Sequence, residues 1–211
     1  MPNRSRAPLS LVSAPPRAGV SDAELATSLI DGQAWAVTET WHRFAPMVIR
    51  MAQRALGSRS EAEDLTQDVF HRVFRKASTL RDAESLRSFV YSFAVRALKA
   101  ELRARQLRAW LSFQRPETLV DLGSDTLDVE SRDLLLRFHR LLNRLSPRDR
   151  LVFLLRRTES MTVEEIATTM EISLSTVKRS LAHSSSKLSR WIHADAELAA
   201  LVPQTEPGKR P

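Results

Sequence analysis

Residues 162–187 read TVEEIATTMEISLSTVKRSLAHSSSK, and their pattern decides the fold of the C-terminal half. Thr162 and Glu165 form a T-x-x-E capping box, which satisfies the first amide donors of a helix from both directions. Ile166, Ala167 and Met170 then fall on one inward face. Glu171, Ile172 and Ser173 make a short turn, with Ser173 as the N-cap of a second helix. Along that helix Leu174, Val177, Leu181 and Leu188 continue the inward stripe, leaving Ser175, Thr176, Lys178, Arg179 and Ala182 outside. The spacing predicts a helix-turn-helix whose second helix can lie in a major groove. An ordinary helical hairpin with a basic surface fits the same residues.

Global composition is compatible with a polyanion partner. The 211 residues carry a net charge of +7 and contain no cysteine, and the isoelectric point is about 10.6. Disulfides, thiolate zinc sites and thiol redox chemistry are thereby excluded, and a reducing cytoplasm is the expected location. No apolar run approaches the roughly 20 residues that span a bilayer, so no membrane insertion is expected. Arg4 and Arg6 have no sustained apolar segment behind them, against a secretory signal. His42, His71, His139, His183 and His193 show no metal spacing, and neither a metal, another cofactor nor a small-molecule substrate is expected.

Working outward, proline and charge divide the chain. Residues 1–20 hold Pro2, Pro8, Pro15 and Pro16 and read as a disordered tail. Helical periodicity runs over 21–113 with one internal proline. Residues 114–129, QRPETLVDLGSDTLDV, read as an acidic linker. A second helical segment follows over 130–194, its periodicity trailing to about Leu201, and 195–211 ends in a proline-rich C-terminal tail. The expected fold is all-α: two helical domains joined by a flexible acidic linker, with the helix-turn-helix in the second.

Two neighbouring helices of the first domain carry opposite charge. In EAEDLTQDVFHRVFRK, Ala62, Leu65, Val69 and Val73 form the buried stripe, while Glu61, Asp64 and Asp68 share an exposed face. That face is either a solvated surface or a docking surface for a basic helix. In LRSFVYSFAVRALKAELRARQLRAW, Arg96, Lys99 and Arg103 lie on one face, and Arg105, Arg108 and Arg115 extend the charge. Its start is aromatic, with Phe89, Tyr91 and Phe93. Phosphate-binding charge beside rings that can stack on bases suits a nucleic-acid surface. The rings could instead fill the core, a reading that suits Phe93 better than Phe89 or Tyr91.

In this order, an acidic helix, a basic aromatic helix, an acidic linker and a helix-turn-helix, the chain resembles a bacterial sigma factor of the extracytoplasmic-function group, which has only sigma regions 2 and 4. FAPMVIRMAQRALGSRSEAEDLTQDVFHRVFRKASTL is similar to the first part of region 2 and LRSFVYSFAVRALKAELRAR to its promoter-opening half. LNRLSPRDRLVFLLRRTESMTVEEIATTMEISLSTVKRSL is similar to region 4. The resemblance implies a non-enzymatic factor that binds core RNA polymerase and promoter DNA, with an anti-sigma factor as a further partner. It implies core docking by Asp64, Gln67 and Asp68. It assigns −10 contacts to Phe89, Tyr91, Arg96, Lys99, Arg103 and Arg105, with residues 76–89 capturing a flipped base. Ser175, Thr176, Lys178 and Arg179 would meet the −35 element, and Asp121, Asp125 and Asp128 would mimic nucleic acid in the polymerase channel.

The chain departs from the family pattern at several of these places. Phe89 stands for a common tryptophan, Arg96 for an asparagine and Glu171 for the turn glycine. Ser180, His183 and Ser185 stand where arginines are frequent, which weakens phosphate contact. A left-handed residue at 171 would strain a glutamate, so a differently built turn is expected there. His183 is expected to be a plain surface residue. The main alternative function is a freestanding helix-turn-helix regulator whose first domain binds a ligand or dimerises; an adaptor making only protein contacts is a third.

Overall fold

The computed structural model describes residues 19–111 and 129–201. Residues 1–18 of the expected tail, residues 112–128 with most of the expected linker and its Arg115, Asp121, Asp125 and Asp128, and the end beyond Leu201 lie outside the described residues. What is described is helical. Four helices form the N-terminal half: α1 (Asp22–Ile30), α2 (Ala34–Leu56), α3 (Arg59–Arg75) and α4 (Leu86–Leu111), with two single 3₁₀ turns before α4. Five form the C-terminal half: α5 (Val129–Asn143), α6 (Pro147–Thr158), α7 (Val163–Met170), α8 (Leu174–His193) and α9 (Ala196–Leu201).

Local chemistry accounts for the boundaries. Ser21, Ser58, Ser146, Thr162 and Ser173 each accept a backbone N–H from the first turn of the helix they precede. Pro147 occupies the first position of α6, where a missing N–H costs nothing. At α7 both halves of the capping box form: Thr162 Oγ1 accepts from Glu165 N at 3.1 Å, and Thr162 N donates to Glu165 Oε2 at 2.6 Å. Gly57 ends α2 at φ 76°, a left-handed cap that a glycine adopts without a Cβ penalty.

In the N-terminal half α3 packs between α2 and α4. Ala62, Leu65, Val69 and Val73 are buried as their spacing predicts, joined by Phe70, whose ring meets Trp41 edge-on at 4.9 Å. Arg43 ties α1 to α2 through Asp22 at 2.8 Å and Glu39 at 2.9 Å. In the C-terminal half α8 lies across α5, α6 and α7, and α9 folds back onto α5 and α8 with Leu198 buried. That last helix lies in the segment expected to be a tail; Arg137 of α5 holds it through Glu197 at 2.9 Å.

The two halves touch. α2 and α4 meet α6, and α4 also meets α7. At the centre, the C-terminus of α2 is plugged by guanidinium groups: Arg150 Nη1 donates to Ala55 O and Arg105 Nη1 to Leu56 O, each at 2.9 Å. Cations suit the carbonyl end of a helix, where four acceptors have no partner of their own. Arg150 also donates from Nε to Leu142 O at 2.9 Å, so one buried side chain stitches α5, α6 and α2 together. Beside it, a Cβ at Gly57 would stand 2.3 Å from Cε1 of His139. Glycine is thus demanded twice there, by backbone conformation and by space.

Candidate nucleic-acid interface

The second helix of the helix-turn-helix is presented as its sequence requires. Ser173 Oγ accepts from Thr176 N at 3.2 Å and lies 3.0 Å and 2.8 Å from the hydroxyls of Ser175 and Thr176. Ser175, Lys178 and Arg179 are exposed and Thr176 is partly so, forming one polar, basic face at a helix N-terminus. That end carries free N–H groups and a positive dipole, a ready site for phosphate.

Its inward face differs from the expected stripe. Val177 and Leu188 are buried and Leu181 partly so, but Leu174 is 44% exposed. Ser180 and Ser184 are buried instead, small side chains that let α8 approach α6 closely. Ser184 satisfies its hydroxyl on Ser180 O at 2.8 Å. Arginine would not fit at 180 without moving α6. His183 is also not a plain surface residue: its Nδ1 lies 3.0 Å from Oδ2 of Asp149, a buried carboxylate of α6. Burial opposes ionisation of Asp149, yet the nearby hydroxyls of Ser180 and Ser146 and the His183 imidazole outweigh it and hold its pKa below the usual value. The imidazole thereby tethers the recognition helix to the helix beneath it.

The turn between α7 and α8 is left-handed after all, with Glu171 at φ 55° and ψ 49°. A left-handed non-glycine residue costs roughly 1–2 kcal/mol. Glu171 is not idle there. Its carboxylate accepts from Arg96 Nη2 of α4, and Arg96, with a smaller contribution from Lys99, draws its pKa down.

On α4 the expected DNA surface is only partly free. Phe89 and Phe93 are half-buried, edge to face at 5.0 Å, with the Arg96 guanidinium 5.6 Å from the Phe93 ring. Lys99 is partly exposed and Arg103 is exposed. Two assignments need correction. Tyr91 is 3% exposed and its hydroxyl donates to Glu159 Oε2 at 2.9 Å, so its ring is part of the packing and unavailable for stacking on a base. Burial above all raises its pKa. Arg105 faces inward, bound to Leu56 O, Glu101 and Glu61, and caps α2 instead of reaching for phosphate. The helical period places 103 and 105 about 200° apart, and only Arg103 lies on the outer side.

The acidic face of α3 is open. Asp64, Gln67 and Asp68 are exposed together, and Asp64, Asp68 and Glu101, with Arg72, line a shallow groove of about 450 Å³ along with the buried Leu65 and Ala97. Small apolar side chains below carboxylates suit a basic helix laid across them. Among the described residues no group of acidic or histidine side chains could hold a metal ion, and no helix is long and apolar enough to cross a membrane.

Sequence reasoning missed the contacts between the halves: Arg54, Gly57, His139, Arg150 and Glu159. A glycine directly after a long helix was the one readable signal among them; the others look like surface or core residues of their own helices.

Comparison with known proteins agrees with this organisation. Residues 40–108 match the model of sigma-70 region 2 and residues 135–188 that of sigma-70 region 4. The chain is 28% identical over 134 residues to the RNA polymerase sigma-E factor of Streptomyces coelicolor, covering 64% of this chain and 73% of the relative. It is 30% identical over 156 residues to a probable extracytoplasmic-function sigma factor, SigI, of Mycobacterium tuberculosis, covering 70% of this chain and about half (52%) of the relative. In fold it is similar to CnrH, solved with the cytosolic domain of CnrY, at TM-score 0.61 and 20% identity, over 82% of this chain and 98% of that one. It is also similar to the sigma factor RpoE of Bartonella quintana, solved with the anti-sigma factor NepR, at TM-score 0.55 and 18% identity, over 74% and 95%. With regions 2 and 4 matched in order over more than half its length, the chain belongs to the sigma-70 family of RNA polymerase sigma factors, in the extracytoplasmic-function group.

Proposed function

We propose that this sigma factor docks on core RNA polymerase through the open face of α3, reads the −35 element with the N-terminal face of α8, and uses α4 at the −10 element to help melt the promoter. The observation that carries the reading is the pairing of an exposed α3 face, with Asp64 and Asp68 on a groove and Gln67 beside them, with an exposed basic recognition face at Ser175, Lys178 and Arg179 in one chain. On α4, Phe89, Lys99 and Arg103 are the groups free to meet DNA, and Arg96 joins them once released from Glu171. Melting then rests on binding energy: captured unpaired bases offset the few kcal/mol lost in unstacking them. No covalent step is needed. The fold likeness to a sigma factor solved with an anti-sigma factor supports a protein inhibitor of that kind as a third partner.

A pull-down with core polymerase followed by run-off transcription tests the reading. The expected result is stable association and promoter-directed transcripts that depend on the added chain. Absence of association with core at low salt overturns it, and tight sequence-specific binding to duplex DNA without polymerase points to a freestanding regulator instead.

A further inference from the structure

We propose that Asp149 and His183 are positioning residues for the −35 contact: a buried carboxylate of α6 holds the imidazole of α8 and sets the rotation at which the recognition helix presents Thr176 and Arg179. Which DNA element is read rests on the sigma-factor reading; the hold on α8 stands on geometry.

The pair is directional and stands one turn from the reading residues. The Asp149 side chain is only 6% exposed, and its Oδ2 lies 3.0 Å from His183 Nδ1 across the packing of α6 on α8. Its other oxygen has Arg148 Nε at 3.8 Å, a neighbour on the same helix that cannot steer α8. The backbone beneath is held as well, since Ser146 Oγ accepts from Asp149 N at 3.2 Å and caps α6. On α8, residues 176, 179 and 183 stand at i, i+3 and i+7 and share one edge of the helix. Tying 183 to α6 therefore ties the row that carries Thr176 and Arg179. The inward neighbours leave rotation looser: Val177 and Leu188 pack through non-directional apolar contact, and Ser184 spends its hydroxyl on Ser180 O within α8. The Arg144 guanidinium, 4.6 Å from the Trp191 ring, holds only the far end. A roll of about 10° moves atoms at the roughly 5–6 Å helix radius by about 1 Å, which separates a good base hydrogen bond from none. The departure from the family pattern at 183 thus exchanges a phosphate contact for a hold on the helix.

Holoenzyme reconstituted from core polymerase and the full-length chain tests this. A duplex pool randomised over the upstream element yields the −35 sequence that wild type prefers. The ratio of affinities for that sequence and for its scrambled form is then compared among variants. Asp149→Asn and His183→Ala should each lower the ratio about five- to tenfold, and the double variant should lower it no further, because the two residues act as one unit. His183→Asn, whose amide nitrogen can stand where Nδ1 does, should keep the ratio within about twofold of wild type. Affinity for core polymerase, and the salt slope on the scrambled duplex, should stay at wild-type values because no docking or phosphate contact is lost. Asp149 is buried, so a plain phosphate contact by His183 predicts the opposite sign for Asp149→Asn: tighter binding to both duplexes once the nearby negative charge is gone. That result, or a salt slope that falls by about one in His183→Ala, overturns the proposal. So does an unchanged ratio in variants that unfold at lower urea concentration, which makes the pair structural alone. Amide hydrogen exchange on the free chain separates this hold from the sigma-factor reading. Faster exchange over 174–184 in His183→Ala, with no sequence preferred by the wild-type holoenzyme, keeps the hold on α8 and removes that reading.

Discussion

The acidic face of α3 and the basic face of α4 are neighbours with opposite fates. Asp64, Gln67 and Asp68 project exposed from α3, with no hydrogen bond or ion pair to other described residues, while Arg96, Tyr91 and Arg105 on α4 are all taken up by contacts inside the molecule. One surface is open in the described fold. The other is largely occupied by internal contacts. A charged face therefore reports function only once its internal partners are known.

The sharpest way to break that comparison is at α3. Asp64→Lys with Asp68→Lys should weaken association with core polymerase by two to three orders of magnitude, since like charge across an interface costs several kcal/mol. The melting temperature should stay within a few degrees, because both side chains are exposed. Calorimetric titration with core, alongside thermal denaturation, checks both halves of the expectation; normal affinity would remove α3 from the docking surface.

Next comes the seam between the halves. Gly57→Val places a branched side chain at φ 76° and against the His139 ring, and should cost about 2–4 kcal/mol of stability in urea titration. His139 offers a milder probe. Burial first, then the charges of Arg150 and Arg105, lower its pKa from 6.5 to about 4, so the packed imidazole is neutral at neutral pH. The open or unfolded chain binds a proton on this group more readily than the packed one. Stability from it is therefore full above pH 6.5 and declines as pH falls toward 4, by at most roughly 3 kcal/mol. The decline should be much reduced in His139→Gln, and an equal decline in that variant would show that other groups govern the acid limb.

The smallest effects separate two arginines that look alike in sequence. Arg105→Gln should lower stability by about 1–2 kcal/mol through loss of the α2 cap, with little change in salt-dependent DNA binding. Arg103→Gln should leave stability within about 0.5 kcal/mol and reduce the salt slope of DNA binding in the polymerase complex by about one. The reverse outcome would return Arg105 to the DNA surface.

Much of this could be seen in the residues before any coordinates. The capping box at Thr162 and the apolar periods mark α3, α7 and α8, and the acidic residues Glu61, Asp64 and Asp68 of α3 are exposed as their spacing predicts. What escaped has a common physical cause. Periodicity states which side of a helix is apolar, but not what another helix brings to its polar side. Ser180 and Ser184 are buried because α6 comes close, Leu174 is left exposed by the described residues, and Tyr91 is buried with its hydroxyl satisfied on Glu159. The left-handed Glu171 follows the same rule: its local cost is legible, whereas the distant arginine that meets it is not.

The C-terminal half has a boundary of its own. The region 4 match stops at residue 188, within α8, whereas the folded unit runs on to Leu201. α9 covers α5 with Leu198, and its Glu197, with Asp195 just ahead of it, converges on Arg137. A fragment trimmed to the similarity boundary would lose the last turn of α8 and its closing clip together, leaving α5 with a bare apolar stripe. Such a fragment is expected to self-associate, and one carried through Leu201 to remain monomeric, so the shortest recognisable region and the shortest well-behaved protein are not the same object.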